Sequence, residues 1–205
     1  MEKNRLILWL YVTFFSALGV VSAFRAELTV VDNFFAAAFC GFVLYLSRSH
    51  KISARTALFA GLIFMLHIIG NLALYSAAEL NYHWDWFVHF SSALFSTVTV
   101  ISFLIENGMC RGFHSAAAIG FFLTVSTGAF IEMGEYGGFI LIGFGKGYLG
   151  FGEGDNSQNF GPWENSSLDT TFNFLGGAIG IMVAALLFRR ELRGLKNQRK
   201  NSKKA

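Results

Sequence analysis

The sequence predicts an all-α polytopic membrane protein with six transmembrane helices and both termini in the cytoplasm. Three observations carry that expectation. First, 54% of the 205 residues are hydrophobic, with 24 Phe and one Pro, and only 14% are charged; a soluble domain carries more charge than this. Second, several apolar runs approach the roughly 20 residues needed to cross a bilayer. Third, the charges segregate. With six spans, Lys3, Arg5, Arg48, Lys51, Arg55, Arg111 and the basic residues of the tail share one side, leaving Arg25 and Lys146 opposite. The positive-inside rule places the richer side in the cytoplasm. Acids run the other way: all but Glu2, Glu106 and Glu191 fall at or near the outer side.

The first span, about 6–24, follows Lys3 and Arg5. Its apolar run is too long for a signal-peptide core and no Ala-x-Ala site follows, so it reads as a retained helix. The second, about 30–47, carries Ala36, Ala37, Ala38 and Gly41, small residues suited to close helix packing. A basic turn with Arg48, His50, Lys51 and Arg55 leads into the third, about 54–76. Tyr82-His83-Trp84-Asp85-Trp86 reads as an interfacial aromatic belt ahead of the fourth, about 86–105.

Glu106, Gly108 and Arg111 mark the turn before the fifth span, about 113–136 and extending towards Ile142. The loop of about 143–167 is rich in glycine and holds Pro162. It lacks the phosphate-cradling pattern of a nucleotide loop. It reads as flexible cover, with Glu153, Asp155 and Trp163 at the mouth of a pocket. The sixth span is about 168–188, where Gly176 and Gly180 form a helix-packing pair. Residues 1–188 are thus expected to form one domain and 189–205 a basic cytoplasmic tail. Cys40 and Cys110 fall at different places in this plan, so no disulfide is expected.

The chemistry centres on Glu132-Met133-Gly134-Glu135, two carboxylates on one helix face. At about 1.5 Å per residue, Glu132 lies roughly 28 Å from Phe113, close to the outer boundary. The same arithmetic brings His67/Asn71, Asp85/His89 and Asp169/Asn173 to a similar level. Each pair shares a helix face. Ionisable groups at membrane depth are costly when they face lipid, so these faces are expected to meet in a polar pocket open to the outer side. Blander readings stand beside this one. Asp85 and Asp169 also suit helix caps or first-turn acids, Glu135 suits solvation at a helix end, and His67, Asn71 and His89 suit hydrogen bonds between helices.

Carboxylates with an imidazole suit a divalent metal ion. The expected ligands are His89, Glu132, Glu135 and Asp169. Asp85 and Glu132 are the expected catalytic groups, Asp85 orienting His89 or acting as base; His67, Asn71 and Asn173 lend polar support. The leading expectation is metal-assisted hydrolysis or transfer on a lipid or polyprenyl head group. The alternatives are a cation or proton-coupled transporter using the same acids, and a non-catalytic interaction protein whose acids lock the bundle. Membrane lipids are the expected partners, and no nucleic acid is.

Asp85-x-x-x-His89-Phe90, Glu132-x-x-Glu135, Gly154-Asp155 and Asp169 before a glycine-containing last helix together resemble the YjdF family of prokaryotic inner-membrane proteins. Asp169-x-x-x-Asn173-x-x-Gly176 is also similar to the VanZ-like family, which tends to show Glu-x-x-Gln where this chain has Glu132-x-x-Glu135. The resemblance covers roughly residues 82–180. It implies a multi-pass protein of a prokaryotic inner membrane and groups Asp85, His89, Glu132, Glu135 and Asp169 as one set. It supplies no mechanism.

Overall fold

The computed structural model describes residues 2–25, 29–70, 81–142 and 162–189. They form six helices: α1 (Lys3–Phe24), α2 (Val30–Leu46), α3 (Ala54–Ile69), α4 (Asn81–Glu106), α5 (Phe113–Ile142) and α6 (Pro162–Leu187). Four of them, α1, α4, α5 and α6, are long and apolar enough to cross a membrane; α2 and α3, with 17 and 16 residues, are shorter apolar helices. A helix satisfies its own backbone hydrogen bonds, which is what an apolar run needs in a solvent without water.

The solvent preference is reversed relative to a soluble protein. Asp169, Thr97 and Ser102 are fully buried, whereas Phe130 is 78% exposed and Leu186 is 70% exposed. Large apolar side chains on the outside and polar ones inside fit a hydrocarbon surround.

The helices pack as two triads joined through α3 and α4. One triad packs α1 against α2 and α3; in the other, α4, α5 and α6 all meet one another. Phe15, Ala36, Ala37, Cys40 and Ile68 make one part of the first interior, and Val98, Ile101, Ala116, Ala117 and Ala184 fill the second. Ser92 pins the two together by donating its hydroxyl to the Ile63 carbonyl at 2.7 Å. Cys40 and Cys110 are both free thiols.

Gly176 and Gly180 decide how closely α6 approaches α4. A methyl group at Gly176 would strike the Phe90 carbonyl, and one at Gly180 would lie 2.8 Å from Thr97 Cβ and 2.9 Å from the Leu94 carbonyl. The two backbones are in contact there because no side chain intervenes.

At the end carrying Arg5, Arg48 and Lys51, polar side chains fasten the turns. Ser53 caps α3 by accepting the Thr56 N–H at 3.1 Å. Glu106, from the last residue of α4, accepts the Ser53 N–H at 3.0 Å and the Thr56 hydroxyl at 2.9 Å. Its acid charge thus sits at a helix N-terminus, where it is favoured. Asn107 braces Lys51 through both the N–H (2.8 Å) and the carbonyl (2.9 Å). Gly108 takes φ +64° in the turn towards α5, a conformation glycine adopts without strain.

Two helices begin earlier than the hydrophobicity suggests. α4 starts at Asn81 and absorbs the aromatic cluster expected outside it. α6 starts at Pro162 rather than near 168. Proline at the first helical position lacks only an N–H that would have no partner in any case, and Glu164 suits the positive end of the helix dipole. The earlier starts place Asp85 in the second turn of α4 and Asp169 at the start of the third turn of α6. Glu153 and Asp155 lie outside the described residues, as does Asn71.

Candidate functional site

The α4–α5–α6 triad brings five of the expected residues together. Asp85 and His89 stand one turn apart on α4, Glu132 faces them from α5, and Asp169 and Asn173 stand one turn apart on α6. Asp85, Glu132, Asp169 and Asn173 are buried, and the His89 side chain is 17% exposed. Gly128, one turn from Glu132, opens the seam to α6. A methyl group there would lie 2.7 Å from Asn173 Nδ2.

His89 is the hub. Its Nε2 lies 3.7 Å from Asp85 Oδ1, and its Nδ1 lies 3.2 Å from Glu132 Oε1. Asn173 Nδ2 is 3.3 Å from the same Nδ1. As a lone pair, Nδ1 accepts from the Asn173 amide, while Glu132 Oε1 stands at ion-pair distance from the same atom.

Asp85, His89 and Asp169 each offer a ligand atom, and the three atoms lie within 4.8 Å of one another. Two carboxylate charges at that separation repel by about 3–4 kcal/mol at an effective dielectric near 20. Burial strengthens the demand for a neutralising partner. A divalent cation would meet it, since the donor set of two carboxylates and an imidazole suits manganese, iron or zinc.

Asn165 holds the far side of the cluster. Its amide donates to Asp169 Oδ2 at 2.7 Å, fixing the carboxylate. This residue was not expected from the sequence, yet the signal is there: Asn165, Asp169 and Asn173 recur at intervals of four on one face of α6.

The other expected residues lie around this core. Glu135 is half-buried, one turn beyond Glu132 on α5. Trp163 is on the first turn of α6 rather than on a loop, and its ring meets Tyr136 of α5 edge to face at 5.8 Å. Trp86 and Phe172 stack at 5.3 Å and join α4 to α6 beside the cluster. His67 pairs with Asp32 of α2, its Nε2 being 3.1 Å from Asp32 Oδ2.

Towards the opposite end, the triad closes. Thr97 and Thr124 are buried hydroxyl groups below the cluster. Beyond them Ile101, Ala116, Ala117 and Ala184 form an apolar cluster, with the fully buried Ser102 beside Ile101 on α4.

The comparison with protein families bears on the whole of this architecture. The model described as "Predicted membrane protein (DUF2238)" matches residues 4–191, which takes in all six helices and every residue of the cluster. The chain belongs to the DUF2238 family. No curated protein and no solved structure matches it. As a DUF2238 protein it is a membrane protein with a buried Asp85–His89–Asp169 group able to hold a metal ion. The DUF2238 description carries neither of the two family names that the motifs resemble.

Proposed function

We propose that this DUF2238 protein is a membrane-embedded, metal-assisted enzyme acting on a lipid or polyprenyl head group. The observation that carries the reading is the convergence of Asp85, His89 and Asp169 within 4.8 Å in the α4–α6 seam. Asp85, His89 and Asp169 hold a divalent ion. Glu132 occupies the position of an outer partner on the far nitrogen of the imidazole, which orients a ligating histidine and raises its basicity. Asn165 fixes Asp169 in the same way. Glu135 and Trp163 belong to the approach.

The bound ion supplies Lewis acidity and an activated water for hydrolysis or group transfer. With one His89 nitrogen given to the ion, Glu132 would hold the proton at the other, Nδ1, 3.2 Å from its Oε1.

The topology completes the proposal. All six helices span, with both termini in the cytoplasm of a prokaryotic inner membrane, which puts the cluster at the level of outer-leaflet head groups. The basic end holding Arg5, Arg48 and Lys51 then obeys the positive-inside rule. Reporter fusions at each terminus test this part, and a terminus found outside overturns it.

Metal analysis of protein purified without chelators tests the chemistry, with Asp169→Asn in parallel. About one divalent ion per wild-type chain, lost in the variant, is the expected result. Wild-type protein that is free of metal and still releases head groups from membrane lipids, followed by mass spectrometry, overturns the metal assignment.

A further inference from the structure

At the end of the bundle away from the cluster, two adjoining grooves of about 630 and 460 Å³ share His50, Lys51 and Glu106. Arg48 lines the larger and Arg5 the smaller. We propose that these grooves bind the phosphate head group of an anionic phospholipid.

The charge balance points to an anion. Glu106 has one oxygen taken by the Ser53 N–H and the other by the Thr56 hydroxyl, so it serves the cap of α3. Arg5 spends one guanidinium nitrogen on the Ser47 carbonyl at 3.0 Å, a neutral acceptor. Among the described residues, neither Arg5, Arg48 nor Lys51 is in an ion pair with a carboxylate. Arg48 and Lys51 are exposed. Arg5, Arg48 and Lys51 thus converge on the two grooves against two carboxylates, Glu106 shared by both and the exposed Glu2 in the smaller, which leaves one positive charge in excess.

The neighbouring surface points to a lipid rather than a free ion. The next turns of α1 expose Leu6, Trp9 and Leu10, and the last turns of α2 expose Phe42 and Tyr45. The Arg48 guanidinium lies over the Tyr45 ring, 5.8 Å from its centroid, where a cation and an aromatic face attract. Cation and hydrocarbon thus adjoin on one strip of surface. A ligand with a phosphate at one end and acyl chains at the other satisfies both, while inorganic phosphate satisfies only the first. Basic pockets between membrane helices recognise acidic head groups in this way.

The test uses the full chain in an uncharged detergent, titrated with dioleoyl phosphatidylglycerol, dioleoyl phosphatidylcholine or inorganic phosphate, with binding read by native mass spectrometry. Phosphatidylglycerol is expected to bind, and Arg48→Gln/Lys51→Gln to weaken it on the order of tenfold or more. The charge-preserving Arg48→Lys/Lys51→Arg and the control Arg111→Gln are expected to bind as wild type. Lys51→Gln alone, at an exposed side chain, serves if the double variant does not purify, with a smaller loss expected. Equal binding of phosphatidylcholine, undiminished binding by the glutamine variants, or inorganic phosphate binding as tightly as the lipid would each overturn the proposal.

Discussion

His89 Nδ1 lies 3.2 Å from Glu132 Oε1, and this contact ties α4 to α5 within a bundle held mainly by hydrocarbon. The same ring presents Nε2 to Asp85, so one imidazole links the carboxylates of two helices. Substitutions at these positions separate holding a metal from holding the fold.

Asp169→Asn removes the carboxylate that the proposal makes a ligand and keeps the shape. Its metal content is expected to fall to background while thermal unfolding in detergent stays near wild type. Elemental analysis beside a melting curve checks both.

Glu132→Gln replaces the charge beyond the imidazole with an amide that still reaches it. Metal affinity is expected to fall about 10–100-fold without vanishing, as for loss of an outer partner. Titration of metal into chelator-stripped protein measures this. Complete loss would instead make Glu132 a direct ligand.

Gly176→Ala sets a methyl group against the Phe90 carbonyl, a backbone atom that cannot rotate away. Overpacking of this kind costs about 1–3 kcal/mol. A lower melting temperature is expected, with metal binding weakened because Asp169 and His89 are forced apart.

Glu106→Ala leaves the Ser53 N–H and the Thr56 hydroxyl without their acceptor. Loss of such a partner costs about 1–3 kcal/mol. Destabilisation with unchanged metal content is expected, since the cluster lies near the other end of α4.

His67→Gln tests whether the Asp32 pair belongs to the metal chemistry. The imidazole is bonded to α2, so the variant is expected to hold wild-type metal while loosening the α2–α3 contact. Metal loss in this variant would bring His67 back into the site.

The six helices were legible because each is an apolar run bounded by charge, glycine or proline. The level of Asp85, His89, Glu132, Asp169 and Asn173 was legible too, because helical rise converts residue number into depth. Lateral partners were not. Depth is one coordinate, and nothing in the spacing of His67 says that its ring turns to Asp32. Asn165 escaped notice because α6 was expected to start near 168, which left this residue on a loop. Hydrophobicity marks where a helix turns apolar; it passes over a polar first turn opened by Pro162.

The glycine contact between α6 and α4 has a final consequence. Side chains yield when bilayer thickness or acyl composition changes, but two main chains in direct contact have almost no slack. Gly176 against Phe90 acts as a fixed gauge, next to His89 on α4 and one turn beyond Asn173 on α6. The separation of Asp169 from His89 is therefore set by the polypeptide itself and insulated from the lipid around it.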